Sequence, residues 1–348
     1  MRTVEAPRDR HHIGWNFWGA NRMGGILALA ADNLLSPIIL SFALGLFAGV
    51  VRSDLSFPEA IAKGLSIYLL FAIGFKGGVG VSTHGLDGRL AATLVAGALL
   101  SLLLPFAAFL LLRALVRISP IDAAAVAAHY GSISIVTFVA ASSVLTSQGI
   151  FAEGYMVAVA AAMEAPAILS ALWLASRFAI AGERTGSNLW REILLNGSIV
   201  LLVGAFVIGW TTGERGLAEI SSFIVDPFKG VLCLFLLDMG LVAGRGLRGS
   251  SGILTGGAVA FGIAMPLVGA TAGLATGMGL GLSTGGVVLL MVLCASASYI
   301  AVPAAMRVAL PQADPTLPVL LSLGITFPFN LTVGIPLYVL AAMTLAGA

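Results

Sequence analysis

Apolar runs separated by short polar joints fill the chain from residue 33 onwards. A helix needs about 20 mostly apolar residues to cross the hydrocarbon core of a bilayer. Ten runs qualify, near 33–51, 58–80, 89–113, 122–146, 153–177, 191–212, 221–244, 252–278, 284–309 and 316–345. The joints between them leave no room for a soluble domain. The pattern predicts an all-α polytopic membrane protein with ten transmembrane helices.

Composition sharpens this reading. The chain is 59% hydrophobic and 10% charged over 348 residues, whereas a soluble domain carries roughly 25% charged residues. Most of the outer surface must therefore face lipid. The 43 glycines suit closely packed or interrupted membrane helices. The net charge of +2 comes from basic residues scattered at run ends, which predicts no nucleic-acid partner. Cys233 and Cys294 both lie in apolar stretches, which argues against a disulfide framework or a zinc site.

Residues 1–32 stand apart, with Arg2, Arg8, Arg10, Arg22, His11, His12, Trp15 and Trp18. They read as an N-terminal extension with its tryptophans at headgroup depth. No apolar run long enough for a secretory leader precedes the first span.

The arginines set the expected orientation. Joints after spans one, three, five, seven and nine hold Arg52; Arg113 and Arg117; Arg177, Arg184 and Arg191; Arg245 and Arg248; and Arg307. The other joints hold only Arg89 and Arg215, with Lys76 near the end of span two. The positive-inside rule places the first set in the cytoplasm and both termini outside, against the vote of the four arginines in the extension.

An internal repeat is the most informative pattern. Lys63–Gly64, Gly74 and Gly78 recur 166 residues later as Lys229–Gly230, Gly240 and Gly244. Gly131-Ser132-Ile133-Ser134 is echoed at offset 164 by Ala295-Ser296-Ala297-Ser298, and Ala140–Ala141 by Ala304–Ala305. Glu164-Ala165-Pro166 aligns with Thr326-Phe327-Pro328 at offset 162. The halves are taken as 33–180 and 190–348. Five spans per half is odd, so the second half enters from the opposite side, the inverted plan of secondary transporters with a site near midplane.

Spans four and nine carry polar, small-residue clusters in otherwise apolar runs. These are His129-Tyr130-Gly131-Ser132-Ile133-Ser134 and Ser296-Ala297-Ser298-Tyr299, the latter followed by Pro303. Serine caps helices, glycine tolerates unusual backbone angles, and Pro303 has no N–H to donate. Both spans are therefore predicted to unwind and restart as half-helices. A half-helix N-terminus attracts anions, and the hydroxyls of Ser132, Ser134, Ser296 and Ser298 are donors for a small oxyanion. Freed carbonyls suit a cation such as sodium, with Glu164, Thr326 and Asn330 as further oxygen ligands. Glu164 stands out as an ionisable group within a span. Asp122, two residues after Pro120, reads as a helix N-terminal acid. His129 reads as a hydrogen-bonded histidine rather than a proton relay. Lys76 and Asp238 fit either a buried pair or a pathway.

These residues resemble the sodium-dependent bicarbonate transporter family, best known from the cyanobacterial carbon-concentrating system. Phe57-Pro58-Glu59-Ala60-Ile61 leading to Gly74-Phe75-Lys76-Gly77-Gly78 is similar to its second span. Ala295 to Pro303, and Gly324-Ile325-Thr326-Phe327-Pro328-Phe329-Asn330, are similar to its ninth and tenth. The likeness runs over about residues 33–345. It implies ten spans, a homotrimer in the plasma (inner) membrane, and a core of spans three to five and eight to ten. That core would slide against a gate of spans one, two, six and seven. It implies bicarbonate near Gly131, Ser132, Ser134, Ser296, Ser298 and Tyr299, and sodium near Glu164, Thr326 and Asn330. A PII-like cytoplasmic regulator is a further implied partner, although the central joint, about 178–190, is short. Two departures touch the presumed site: His129–Tyr130 stand where smaller residues are expected, and Glu164 where aspartate is. The alternatives are sodium-coupled transport of another small anion such as a carboxylate, and a passive anion channel or membrane scaffold.

Overall fold

The computed structural model describes residues 35–84, 88–177, 197–249, 254–299 and 312–345, with residues 302, 303, 306 and 310. The extension 1–32, the joint 178–190, Arg307 and the Ala304–Ala305 match lie outside them. Among the described residues there is no strand. The helices are α1 (Pro37–Val50), α2 (Glu59–His84), α3 (Gly88–Leu115), α4 (Pro120–Gly131) and α5 (Ile135–Ser147). They continue with α6 (Met156–Ala162), α7 (Glu164–Ser176), α8 (Gly197–Ile224), α9 (Phe228–Gly249), α10 (Gly256–Gly279) and α11 (Thr284–Ala295). The last span runs Thr316–Leu345 and contains two π-helical turns, Ser322–Thr326 and Asn330–Gly334. Among the described residues, seven helical segments are long and apolar enough to cross a membrane, and α1 and α11 are shorter apolar helices.

Span boundaries follow local chemistry. Ser36 and Pro37 open α1, Ser119 and Pro120 open α4, and Ser283 opens α11, each serine accepting a backbone N–H of the first turn. Asp122 occupies the expected first-turn position. Its N–H reaches Ser119 Oγ at 3.0 Å, and Ser119 Oγ donates to Asp122 Oδ2 at 2.7 Å.

The boundary between spans six and seven differs from the expectation. Helix α8 continues to Ile224 through a kink at Gly213, where φ is +59° and ψ is −151°, a conformation that L side chains rarely adopt. Beyond the kink, Glu214, Arg215 and Glu219 are on the exposed side, while Leu217 and Ile220 pack toward Phe71 and Phe75. Residues 221–224 thus belong to an amphipathic helix, and the next span starts at Phe228.

The repeated glycines explain how the outer helices pair. Gly74 and Gly78 of α2 lie against the backbone of α8 at Leu202 and Phe206, and Gly209 of α8 lies against Phe75. Gly240 and Gly244 of α9 lie against the backbone of α1 at Phe42, Leu46 and Gly49. Small residues allow such close backbone approach between membrane helices. The glycines related by the 166-residue offset therefore line two seams, α2 on α8 and α9 on α1. A Cβ at Gly240 would fall on the Phe42 carbonyl, whereas one at Gly230 meets nothing within 4 Å. Gly240→Val is expected to lose at least about 1–3 kcal/mol. In detergent it should melt several degrees below wild type, with Gly230→Val melting with wild type.

Helices α3–α7, α10, α11 and the 316–345 span pack mainly on one another. In α3 one flank, with Val95, Leu99, Leu103 and Leu110, is exposed, as a lipid-facing helix requires. Span four is buried along its whole apolar window, and in α11 every residue from Gly285 to Ala295 is buried. The interrupted spans are thus central.

Candidate functional site

Both interruptions form where the residue pattern predicts. Helix α4 ends at Gly131, Ser132 is extended (φ −85°, ψ 166°), and Ser134 (φ −106°, ψ 107°) caps α5. Helix α11 ends at Ala295 and Ser296 is extended (φ −88°, ψ 163°). Val302 and Pro303 are helical again.

Broken helices leave backbone groups without intrahelical partners, and inside a membrane each must be satisfied. Here the two breaks satisfy each other. Ser298 N–H donates to the His129 carbonyl at 2.7 Å, and His129 Nδ1 donates to the Ser298 carbonyl at 2.6 Å. On the other side of the crossing, Ser134 N–H donates to Ser296 Oγ at 2.9 Å, which donates to the Leu293 carbonyl at 3.0 Å. At offset 164, His129 corresponds to Leu293 and Ser134 to Ser298. The same backbone link is thus made directly once and through the Ser296 hydroxyl once.

The remaining hydroxyls divide into spent and unspent donors. Ser132 Oγ donates to Glu164 Oε2 at 2.9 Å. Thr137 donates its N–H (3.3 Å) and its O–H (2.9 Å) to Ser134 Oγ, which leaves the Ser134 proton uncommitted to a well-formed hydrogen bond among the described residues. Ser298 Oγ has no protein partner among the described residues. The buried Tyr299 hydroxyl faces Ser134 without forming a well-shaped hydrogen bond. Its ring packs edge-on to Phe327, with centroids 5.4 Å apart, and Phe327 packs on Phe42 of α1 at 5.1 Å. Gly131 packs against Pro105 and Ala167, so its missing side chain serves helix packing.

Glu164 opens α7 and is 7% exposed. Among the described residues no cation forms an ion pair with it, and it makes no direct hydrogen bond to Thr326 or Asn330. Those two residues lie on the other half of the site. Pro266 lacks an N–H, so the Gly262 carbonyl loses its helical donor; Thr326 Oγ1 supplies one at 2.7 Å. Its proton thus committed, Thr326 accepts from the Tyr130 hydroxyl at 2.7 Å. Asn330 Nδ2 caps the end of α11 at the Ala295 carbonyl (2.9 Å), and Tyr338 donates to Asn330 Oδ1 at 2.9 Å.

Three supporting residues, Thr137, Tyr338 and Gly262, escape the sequence reading; with Tyr130, already singled out in the span-four cluster, they hold the site residues in place. Of the three, Thr137 has a local signal, as the third residue after the Ser134 cap. Lys76 sits over the Phe228 ring, 4.2 Å from its centroid. Asp238 is buried on α9.

Two crossed, interrupted helices with unspent hydroxyls beside a buried carboxylate define a helical membrane protein with a polar centre. The chain belongs to the Na+-dependent bicarbonate transporter superfamily, whose family model matches residues 37–343. It is a transporter and not an enzyme. No curated protein matches the chain.

Proposed function

We propose that the protein imports bicarbonate together with sodium by alternating access. The observation that carries this reading is the crossing of the two breaks. There the Ser298 hydroxyl, the Tyr299 hydroxyl and the Ser134 proton have no settled protein partner, while Glu164 lies one hydrogen bond from Ser132. Unspent donors suit a small oxyanion, helped by the α5 N-terminus, where the Ile135 and Val136 amides have no intrahelical partner. A buried carboxylate without a basic partner suits a hard cation. Sodium is cargo here, held by Glu164, with Thr326 and Asn330 oxygens supporting the opposite half.

The same reading gives ten spans in two inverted halves, with both termini outside and the molecule in the plasma (inner) membrane. The glycine seams join α1 to α9 and α2 to α8, which supports a gate of four helices against which the core moves as an elevator. A homotrimer and a PII-like cytoplasmic regulator complete the proposal on family grounds.

Uptake of labelled bicarbonate into proteoliposomes tests it. An inward sodium gradient is expected to accelerate uptake several-fold, with saturation in bicarbonate. Bicarbonate entry indifferent to the sodium gradient would overturn symport, and unsaturable entry would point to a channel. Sodium-driven uptake of a carboxylate in place of bicarbonate would move the cargo to the other anion class.

A further inference from the structure

His129 grips the neighbouring break at two points. Its carbonyl takes the Ser298 N–H and its ring Nδ1 donates to the Ser298 carbonyl, at 2.7 and 2.6 Å. Both backbone groups of Ser298 are therefore held by one side chain and one peptide unit of α4. The ring is 1% exposed, so the bond is made away from bulk water, where geometry is most restrictive.

The grip acts on the extended stretch 296–299, which carries the Ser298 and Tyr299 hydroxyls. Donating from Nδ1 leaves Nε2 with no protein partner among the described residues. His129 also lines a cavity of about 130 Å³ with Ala125, Pro303, Met306 and Asp314. The Asp314 N–H donates to Asp122 Oδ1 at 2.9 Å, at the exposed start of α4. The cavity thus joins the back of the clamp to the surface beside that loop.

We infer that His129 is a positioning residue for the anion site: its two-point clamp on Ser298 sets the angle at which the Ser298 and Tyr299 hydroxyls meet the cargo. The ring touches no cargo itself. This rests on the proposed anion site, but the clamp makes a structural claim that is read independently of transport.

The substitutions follow from where the donor sits. Asparagine places an amide nitrogen close to the position of Nδ1, and glutamine places one close to Nε2. In full-length protein in proteoliposomes, His129→Asn is expected to keep the wild-type KM for bicarbonate within about twofold. His129→Gln should raise it about tenfold with little change in kcat, the size of one lost hydrogen bond in a buried site. His129→Ala should behave as His129→Gln, and about 10 mM imidazole entering through the cavity should restore part of its KM. Hydrogen exchange of the segment around Ser298 is expected to quicken in the glutamine variant and not in the asparagine variant.

Asparagine and glutamine variants with the same KM and the same exchange would overturn the clamp, as would a loss confined to kcat. If the alanine variant does not fold, the asparagine–glutamine pair decides. Wild type that transports no bicarbonate while exchange still separates the two variants would sink the function reading and leave the clamp standing.

Discussion

Glu164→Gln is expected to weaken sodium stimulation of uptake sharply while leaving the protein folded. Glutamine keeps an oxygen to accept from Ser132 Oγ, whose present bond to Glu164 is 2.9 Å, and removes only the charge. A hard cation held by a carboxylate in a low-dielectric site loses its strongest ligand. A charge-assisted contact is worth about 1.5–3 kcal/mol, so sodium activation should weaken by about ten- to 150-fold. Initial uptake rates across a sodium titration read this directly. Glu164→Ala should lose the same stimulation and also strand the Ser132 hydroxyl, so its melting temperature should fall below that of the glutamine variant. A glutamine variant with the wild-type sodium curve would remove Glu164 from the cation site.

The second large effect separates two serines that look alike in the sequence. Ser296→Ala removes the hydroxyl that joins Ser134 N–H to the Leu293 carbonyl. Two backbone groups are then stranded inside the membrane, at about 1–3 kcal/mol each. The variant is expected to lose roughly 2–5 kcal/mol, seen as a much lower melting temperature and little folded protein. Ser298→Ala removes a hydroxyl that has no protein partner among the described residues. Its stability should stay within about 0.5 kcal/mol of wild type, while KM for bicarbonate rises about five- to tenfold. Equal stability of the two alanine variants would show that the Ser296 bridge does not hold the crossing. An unchanged KM in Ser298→Ala would take Ser298 out of the anion site.

Much of this architecture is legible in the residues, and the rest fails for identifiable reasons. Hydropathy locates the apolar runs because lipid selects against charge over the whole span length. It misplaces the start of the seventh run because Phe223, Ile224 and Val225 add an apolar signal at the end of an amphipathic helix that also carries Glu214, Arg215 and Glu219. The offset of 166 marks Gly240 as the counterpart of Gly74. It does not say that one faces α1 and the other α8. The breaks are visible as serine clusters, since capping is a local preference. That Ser296 is spent on a backbone bridge and Ser298 is not depends on partners more than 160 residues away. The Thr326–Gly262 link is hidden in the same way, because its cause is Pro266 on a different helix. The two π-helical turns in the last span, Ser322–Thr326 and Asn330–Gly334, leave no mark on apolar periodicity short enough to read.

The crossed breaks also bear on how the molecule is made. Ser134 N–H, the His129 carbonyl and the His129 ring find their partners only in residues 296–298. A ribosome adding roughly 5–20 residues per second needs about ten to thirty seconds to cover that interval. During that time span four has been synthesised but its interruption has no complement. Unsatisfied backbone in hydrocarbon costs several kcal/mol per group. The nascent chain must therefore keep the α4–α5 break out of the lipid core, or hold water or insertase side chains against it, until residues 296–298 arrive. Completion of the crossing thus waits on the synthesis of residues more than 160 positions downstream.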